Sequence, residues 1–170
     1  MERTIEVRHV SMKIRSGFES FTHNLERSLG RFDPALCKDI EKDPSGVRRR
    51  IEQAAGEEGL MLFNIRDHGR LLKVIGAPGK ARQYVIGNPL IAITMTSQDI
   101  RAGLYAPLAV FVYEAGDGST MVEYDMPSTL FGQFGDPKIT AIGRTLDKKL
   151  ADLIKKAELA GSIAGTAQAQ

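Results

Sequence analysis

The residues best suited to chemistry in this 170-residue chain are three histidines, His9, His23 and His68, and a single cysteine, Cys37. No two histidines have the spacing of metal ligands on one helix, and the sequence contains neither HExxH nor CxxC. It therefore predicts no metal site and no cofactor. Cys37 lies on an apolar helical stripe, which is typical of a buried core residue rather than a nucleophile.

His68 is the histidine that best fits acid–base chemistry. Paired with Asp125 or Glu123 it would make a metal-independent acid–base enzyme, because proton transfer needs groups within about 3 Å of the reacting atom. The alternative interpretation is that His68 is only a turn residue between Asp67 and Gly69.

Two motifs that suggest phosphate or nucleic-acid binding are weak. Residues 76–80 read GAPGK, but they lack the GxxxxGK[ST] spacing and precede a predicted strand instead of a helix, which favours a hairpin turn. Arg48, Arg49 and Arg50 form the densest basic run, yet no aromatic residues interleave with them. They fit the solvent face of a helix, so no nucleic-acid partner is expected.

The net charge of +2 conceals an uneven distribution of charge along the chain. No Lys or Arg occurs between Arg101 and Lys138, whereas Glu114, Asp117, Glu123, Asp125 and Asp136 all fall in that interval. This pattern predicts a locally acidic hairpin. It is either a solvated surface or a surface that meets a basic partner segment such as residues 48–50 of a second subunit.

Beside this hairpin, residues 83–98 carry no charge. The stretch is interpreted as core, as the wall of an apolar pocket, or as a dimer interface. Asn88 within it is also a strong helix N-cap candidate. Apolar walls combined with a few polar groups are typical of ligand sites. The candidate ligand-binding residues are His68, Asn88, Met95, Tyr105, Tyr124 and Asp125.

Hydrophobic periodicity, capping residues and turn residues predict the elements that must position these side chains. In order, these are a strand over 4–15, a helix after Ser16 that ends at Gly30, short helices opening at Asp33-Pro34 and Asp43-Pro44, strands over 60–65, 71–75 and 84–86, a helix opening at Asn88-Pro89, a hairpin of 107–114 and 119–126, and a last helix from Asp136-Pro137 to Leu159. The hairpins predict an α+β fold, with a largely antiparallel sheet and helices packed on one face.

The length predicts one α+β domain over residues 1–157, with 16–43 as an added helical segment and 158–170 as a flexible C-terminal tail. One cysteine allows no intrachain disulfide, which fits a reducing compartment. The N-terminus lacks the apolar core of a signal peptide, and residues 83–98 are too short and too polar to span a bilayer. We therefore expect a cytoplasmic protein with no membrane partner.

Five segments read together resemble the bacterial domain of unknown function 302 (DUF302) family over about residues 45–157. They are IGNPLIA (86–92), LYAPLAVFVYE (104–114), GST (118–120), VEYDMPS (122–128) and TLDKKLADLIKKA (145–157). The resemblance implies a compact α+β domain, a homodimer and no established reaction. In the family, the strand that starts at this proline often begins PLR, whereas here Ala109 follows Pro107-Leu108. If that arginine recognises an anion, this chain has lost it. Residues 16–43 also look longer than the family's usual first helix.

Three hypotheses about function follow. The first is a dimeric domain that binds or senses a small molecule without catalysis of its own. The second is the acid–base enzyme that uses His68 and Asp125. The third is a structural or interaction protein that acts through its dimer surface, which would bury more than roughly 1,000 Å² and leave no well-formed pocket.

Overall fold

A computed structural model of the protein describes residues 2–167. Its six strands are β1 (His9–Ile14), β2 (Gly30–Arg31), β3 (Met61–Asp67), β4 (Ala81–Gly87), β5 (Leu108–Glu114) and β6 (Thr120–Asp125). Its α-helices are α1 (Phe18–Ser28), α2 (Pro44–Ala54), α3 (His68–Leu72), α4 (Pro89–Thr96), α5 (Pro127–Gly132) and α6 (Pro137–Ala167). Short 3-10 turns cover Pro34–Cys37, Glu57–Gly59, Lys73–Ile75 and Ile100–Tyr105.

The strands form one sheet in the order β1-β6-β5-β4-β3-β2. Every pair is antiparallel except β2 with β3, which pairs two residues in parallel. The predicted hairpin of β5 and β6 is confirmed, and so is the α+β fold class with its largely antiparallel sheet. The strand predicted over 60–65 corresponds to β3, which is second from the sheet edge.

The main core lies between one face of the sheet and helices α1, α5 and α6. Alternate residues of β4, β5 and β6 point into it because successive side chains of a strand face opposite sides. A second, smaller cluster lies at one corner of the sheet, where Val47 and Ile51 of α2 pack on Met61. Met61 is in the second cluster and Leu62 in the main core, so this end of β3 is covered on both faces.

Four helical segments begin where the sequence predicts, and each has its capping residue in place. The side chain of Asp33 accepts from the Ala35 N–H, Asp43 from Gly46, Asn88 from Leu90, and Asp136 from Lys138. A proline follows each of these residues at the first helical position, where its missing N–H is not needed. Local chemistry is therefore sufficient to fix these four starts.

The prediction of a strand over 71–75 is wrong. Asp67 caps a short helix there instead, because its Oδ1 accepts from the Arg70 N–H at 2.7 Å. The chain then leaves the sheet between β3 and β4, and the two strands pair directly with each other. The apolar run that suggested a strand stays largely in solvent, with Val74 83% exposed and Ile75 78% exposed.

The ends of the chain also differ from the expected boundaries. The first strand begins at His9 and not at residue 4, and α6 continues to Ala167, eight residues past the end predicted at Leu159. Residues 168–170 of the predicted tail lie outside the described part of the chain. The segment 16–43 supplies α1, whose Phe21 and Leu25 are fully buried in the main core, and β2 at the sheet edge.

Candidate functional site

An apolar cavity of about 190 Å³ lies where β4 ends and α4 begins. Its lining comes from both core clusters, and no lining residue has a charged side chain. The lining residues are Phe32, Phe63, Gly87, Asn88, Pro89, Ile91, Ala92, Met95, Ala106, Pro107, Leu108, Phe131 and Leu146. A cavity with this lining is suited to apolar groups, whose removal from water is the main driving force for binding.

One wall of the cavity is an aromatic pair, Phe32 and Phe63. Their ring centroids are 4.4 Å apart and their planes differ by 21°, so the rings are stacked. Phe32 is positioned by the backbone, because its N–H donates to the Leu62 carbonyl at 3.0 Å just after the short parallel pairing of β2 and β3. The sheet edge thus presents a flat apolar surface to the cavity.

Another part of the lining depends on the close approach of Gly87 and Pro107, next to the Phe63 ring. A Cβ added at Gly87 would lie 3.1 Å from the Cβ of Pro107 and 3.6 Å from the Phe63 ring. A larger residue at position 87 would therefore enter the space between β4 and the start of β5. The absence of a side chain at this position keeps the cavity open.

Asn88 holds the start of α4 in place. Its Oδ1 accepts from the Leu90 N–H at 2.7 Å, and its Nδ2 donates to the Gly59 carbonyl at 2.7 Å. The same side chain therefore caps α4 and ties it to the 3-10 turn at Glu57–Gly59. Both polar ends of the amide are occupied within the protein, so Asn88 shapes the cavity and has little capacity left for a ligand.

A separate polar cluster lies on the open face of the sheet. His9 Nδ1 is 2.9 Å from Asp125 Oδ1, and its Nε2 is 3.5 Å from Glu123 Oε2. Ser11 and Tyr113 donate to Glu123 Oε1 at 3.3 Å and 2.8 Å. The hydrogen bond with Asp125 raises the pKa of His9 above its ordinary value, and the hydrogen bond from Tyr113 lowers the pKa of Glu123.

The acidic hairpin has basic partners from other strands. Asp117 pairs with Lys13 of β1 at 3.1 Å, and Glu114 pairs with Lys80, just before β4, at 3.1 Å. Two of the five acidic residues in the interval without Lys or Arg therefore pair with lysines from outside it. In the 48–50 run, Arg50 is also engaged, because its guanidinium donates to the carbonyls of Leu36 and Lys38.

The model of the domain of unknown function DUF302 matches residues 37–157 of this chain. The chain belongs to the DUF302 family. The chain is similar to the crystal structure of an uncharacterized conserved DUF302 protein from Bacillus stearothermophilus, with a TM-score of 0.64 and 18% sequence identity. The match covers 88% of this chain and 97% of the Bacillus stearothermophilus chain. At this identity the likeness shows a shared fold. No curated protein matches the chain.

The DUF302 match includes every lining residue of the cavity except Phe32. Two of the segments that carry the family resemblance, 86–92 and 104–114, meet at the cavity and supply eight of its lining residues. Residues before 37 lie outside the match, although they include β1 and α1. Ala109, at the position where the family resemblance led us to expect an arginine, lies on the exposed face of β5 opposite Val85.

The six candidate ligand-binding residues of this DUF302 chain fall in different places. Asn88 and Met95 line the cavity. Tyr105 packs edge-on against Phe134 at 6.2 Å, outside the lining. Tyr124 is 7% exposed in the main core, where burial raises the pKa of its hydroxyl.

The other two candidates, His68 and Asp125, lie outside the cavity and are not paired with each other. His68 packs edge-on against Phe111 of β5 at 5.7 Å, whereas Asp125 is on β6 with His9 as its partner. Within residues 2–167, His68 makes no hydrogen bond or ion pair with Asp125 or Glu123. The structure thus gives Asp125 a different histidine from the one that the sequence suggested.

Two further expectations concern metals and membranes. In the described part of the chain, no group of three or more His, Cys, Asp or Glu side chains is arranged to hold a metal ion. No helix among the described residues is both long enough and apolar enough to cross a membrane. Cys37 is half-buried and packs against the second cluster.

Sequence reasoning missed the aromatic wall of the cavity and the role of His9. Phe32 and Phe63 are 31 positions apart and meet only through the short parallel pairing of β2 with β3. His9 had a usable signal, because His9, Ser11 and Lys13 alternate with apolar residues and so share the exposed face of β1. The pairing of β1 with β6 then brings His9 opposite Asp125.

Proposed function

We propose that this DUF302 protein is a domain that binds a small apolar molecule in the cavity beside α4 and catalyses no reaction itself. The observation that carries the proposal is the uncharged lining of that cavity, with a stacked aromatic pair along one wall. An apolar cavity of about 150 Å³ stays dry and binds benzene in another protein. A cavity of about 190 Å³ therefore fits a single aromatic ring or a short branched hydrocarbon group.

The acid–base alternative has weaker support. Its carboxylates, Asp125 and Glu123, lie on a sheet face where the side chain of their histidine partner, His9, is 55% exposed. Acid–base sites work best where water is excluded and the catalytic groups converge on one enclosed point. The lining of the apolar cavity contains no titratable side chain, so binding is the better interpretation of the site.

The binding proposal is tested with toluene and indole as probes and with one variant that fills the cavity. Ala92→Leu adds three carbon atoms to the lining, whereas Ala151→Leu adds the same atoms on the exposed surface of α6. Thermal unfolding is measured for each protein with and without probe. A probe present at 100 times its dissociation constant should stabilise the wild type by about 2.7 kcal/mol.

The expected result is stabilisation of the wild type and of Ala151→Leu by at least one probe, and little or none for Ala92→Leu. Methyl NMR spectra should show the largest shifts at Ile91, Met95 and Leu146, which line the cavity. Equal stabilisation of all three proteins would place binding elsewhere. Failure of both probes to perturb these methyl groups at saturation would refute the proposed site.

We also propose that the protein forms a homodimer, as the family resemblance implies. Three large aliphatic side chains near α4 support this, since Ile93, Ile100 and Leu104 are 51%, 78% and 80% exposed. All three fall in the segment of α4 and the 3-10 turn that follows it, and exposed apolar patches are typical of interaction surfaces. Sedimentation velocity should give a dimer that Leu104→Lys dissociates, and a monomer at about 100 μM wild-type protein would contradict the dimer.

A further inference from the structure

A second cavity, of about 660 Å³, opens at the other end of β4. It lies between α1, α3 and the start of β4, and its volume is in the usual range of ligand pockets. In contrast to the apolar cavity, its lining contains four basic side chains, Arg70, Lys73, Lys80 and Arg82. Three carboxylates, from Glu19, Asp67 and Glu114, also line it.

The short connection from β3 to β4 fixes the position of the first two basic residues. Asp67 caps α3, and Gly69 lets the helix lie directly against the start of β4, since an added Cβ would be 2.6 Å from the Gly79 carbonyl oxygen. Arg70 and Lys73 are three residues apart in continuous helical and 3-10 backbone, so they project on the same side.

The three carboxylates already have partners. Glu19 Oε2 is 3.6 Å from Arg82 Nη2, and Glu114 Oε2 is 3.1 Å from Lys80 Nζ. The Asp67 carboxylate accepts from the backbone N–H of Arg70 and so stays bound to α3. Every carboxylate of the lining is therefore held by a neighbour, and two of them neutralise Lys80 and Arg82.

Arg70 and Lys73 differ in this respect. Within residues 2–167 neither side chain makes a hydrogen bond or an ion pair, and both are exposed at the cavity. The buried Phe18 ring also lines the cavity, 5.3 Å from the Arg82 guanidinium and 6.0 Å from the Lys80 ammonium. The cavity thus has one aromatic lining residue, two neutralised basic groups and two basic groups without a partner among the described residues.

We propose that this cavity binds the phosphate group of a small anionic ligand through Arg70 and Lys73. A guanidinium can contact two phosphate oxygens at once, and the adjacent ammonium supplies a second positive charge. Soluble phosphate esters and phospholipid headgroups both carry this group. Leu71, Val74 and Ile75 are more than half exposed on the same connection, so the experiment includes one arm for each source. The site does not rest on the proposed function of the apolar cavity.

The first arm measures binding of inorganic pyrophosphate by calorimetry at low ionic strength. The second measures co-sedimentation with vesicles of phosphatidylcholine, with and without phosphatidic acid. Arg70→Ala/Lys73→Ala is compared with Arg49→Ala/Lys138→Ala, which removes the same charge from exposed positions on α2 and α6. All four positions are exposed, so both variants should keep the wild-type unfolding temperature.

In at least one arm we expect binding that the Arg70/Lys73 variant weakens at least tenfold and the control variant leaves within twofold. If the Arg70/Lys73 variant loses pyrophosphate binding, the ligand class is a soluble anion. If it loses only the binding to vesicles that contain phosphatidic acid, and Val74→Ser loses that binding as well, the ligand is a lipid headgroup. Two results would overturn the proposal: no millimolar or tighter binding in either arm, or equal weakening by both variants, which would indicate diffuse charge attraction.

Discussion

Asn88 joins two parts of the structure that form the apolar cavity, so its replacement should loosen the cavity measurably. Asn88→Ala removes the acceptor for the Leu90 N–H and the donor to the Gly59 carbonyl, both at 2.7 Å. Asn88→Ser should keep the first bond, because a serine hydroxyl is an equally good N-cap. It should lose the second, because its side chain is too short to reach Gly59.

The size of each effect follows from the two hydrogen bonds. Loss of an N-cap acceptor costs about 1 kcal/mol, and loss of a hydrogen bond to a half-buried carbonyl costs about 1 kcal/mol more. Asn88→Ala should therefore destabilise the protein by about 2 kcal/mol, and Asn88→Ser by about 1 kcal/mol. For a chain of this length, that corresponds to about 4–8 °C and 2–4 °C in the unfolding temperature.

Urea and thermal unfolding, followed by circular dichroism, measure the three proteins side by side. The order of stability should be wild type, then serine, then alanine. Equal stability of the alanine and serine variants would refute the capping contribution. A serine variant as stable as wild type would refute the contribution of the Gly59 bond. In the serine variant, the free energy of toluene binding should change by less than the free energy of unfolding. Both ends of the Asn88 amide are bonded within the protein and not to a ligand.

Three further predictions concern other parts of the molecule. Gly30→Ala should cost about 3 kcal/mol or more in urea unfolding, because its Cβ would lie 2.0 Å from the Ala54 carbonyl oxygen, while Gly132→Ala, with no atom within 4 Å, should not destabilise. In NMR titrations, Asp125→Asn should lower the pKa of His9. The stability that the Asp125 pair adds should be full below about pH 6.5 and should fall as pH rises through the raised pKa of folded His9. Tyr84→Phe should cost about 1 kcal/mol in thermal unfolding, because the buried hydroxyl donates to Glu26 at 2.9 Å.

The sequence predicted best those features that depend on neighbouring residues. The helix starts after Asp33, Asp43, Asn88 and Asp136 were all correct, because the capping oxygen and the backbone N–H that donates to it are two or three residues apart. The β5–β6 hairpin was also correct, since its turn and alternation are contained within residues 107–126. These signals need no knowledge of distant contacts.

Prediction was weaker wherever two distant segments decide the outcome. The apolar run 71–75 has strand character, but β3 and β4 pair without it, and the cap at Asp67 starts a helix instead. About half of the cavity lining could be predicted from the sequence, because Asn88 and Met95 lie in the uncharged stretch 83–98. The other half depends on which strand lies beside which, as with Phe32 and Phe63, and on backbone approach, as with Gly87 and Pro107.

The two proposed sites lie at opposite ends of β4 and should act independently. Arg82 near its start lines the cavity with basic residues, and Gly87 at its end lines the apolar one. Arg82 and Gly87 are five positions apart on extended strand, which corresponds to about 16 Å, and Tyr84 and Ile86 between them are fully buried on the core face. One small ligand cannot occupy both, and sites this far apart without shared partners have additive effects. Arg70→Ala/Lys73→Ala should therefore leave toluene affinity within twofold, and Ala92→Leu should leave pyrophosphate affinity within twofold. A larger change in either direction would mean that the segments between the cavities have two alternative arrangements, which would couple the sites.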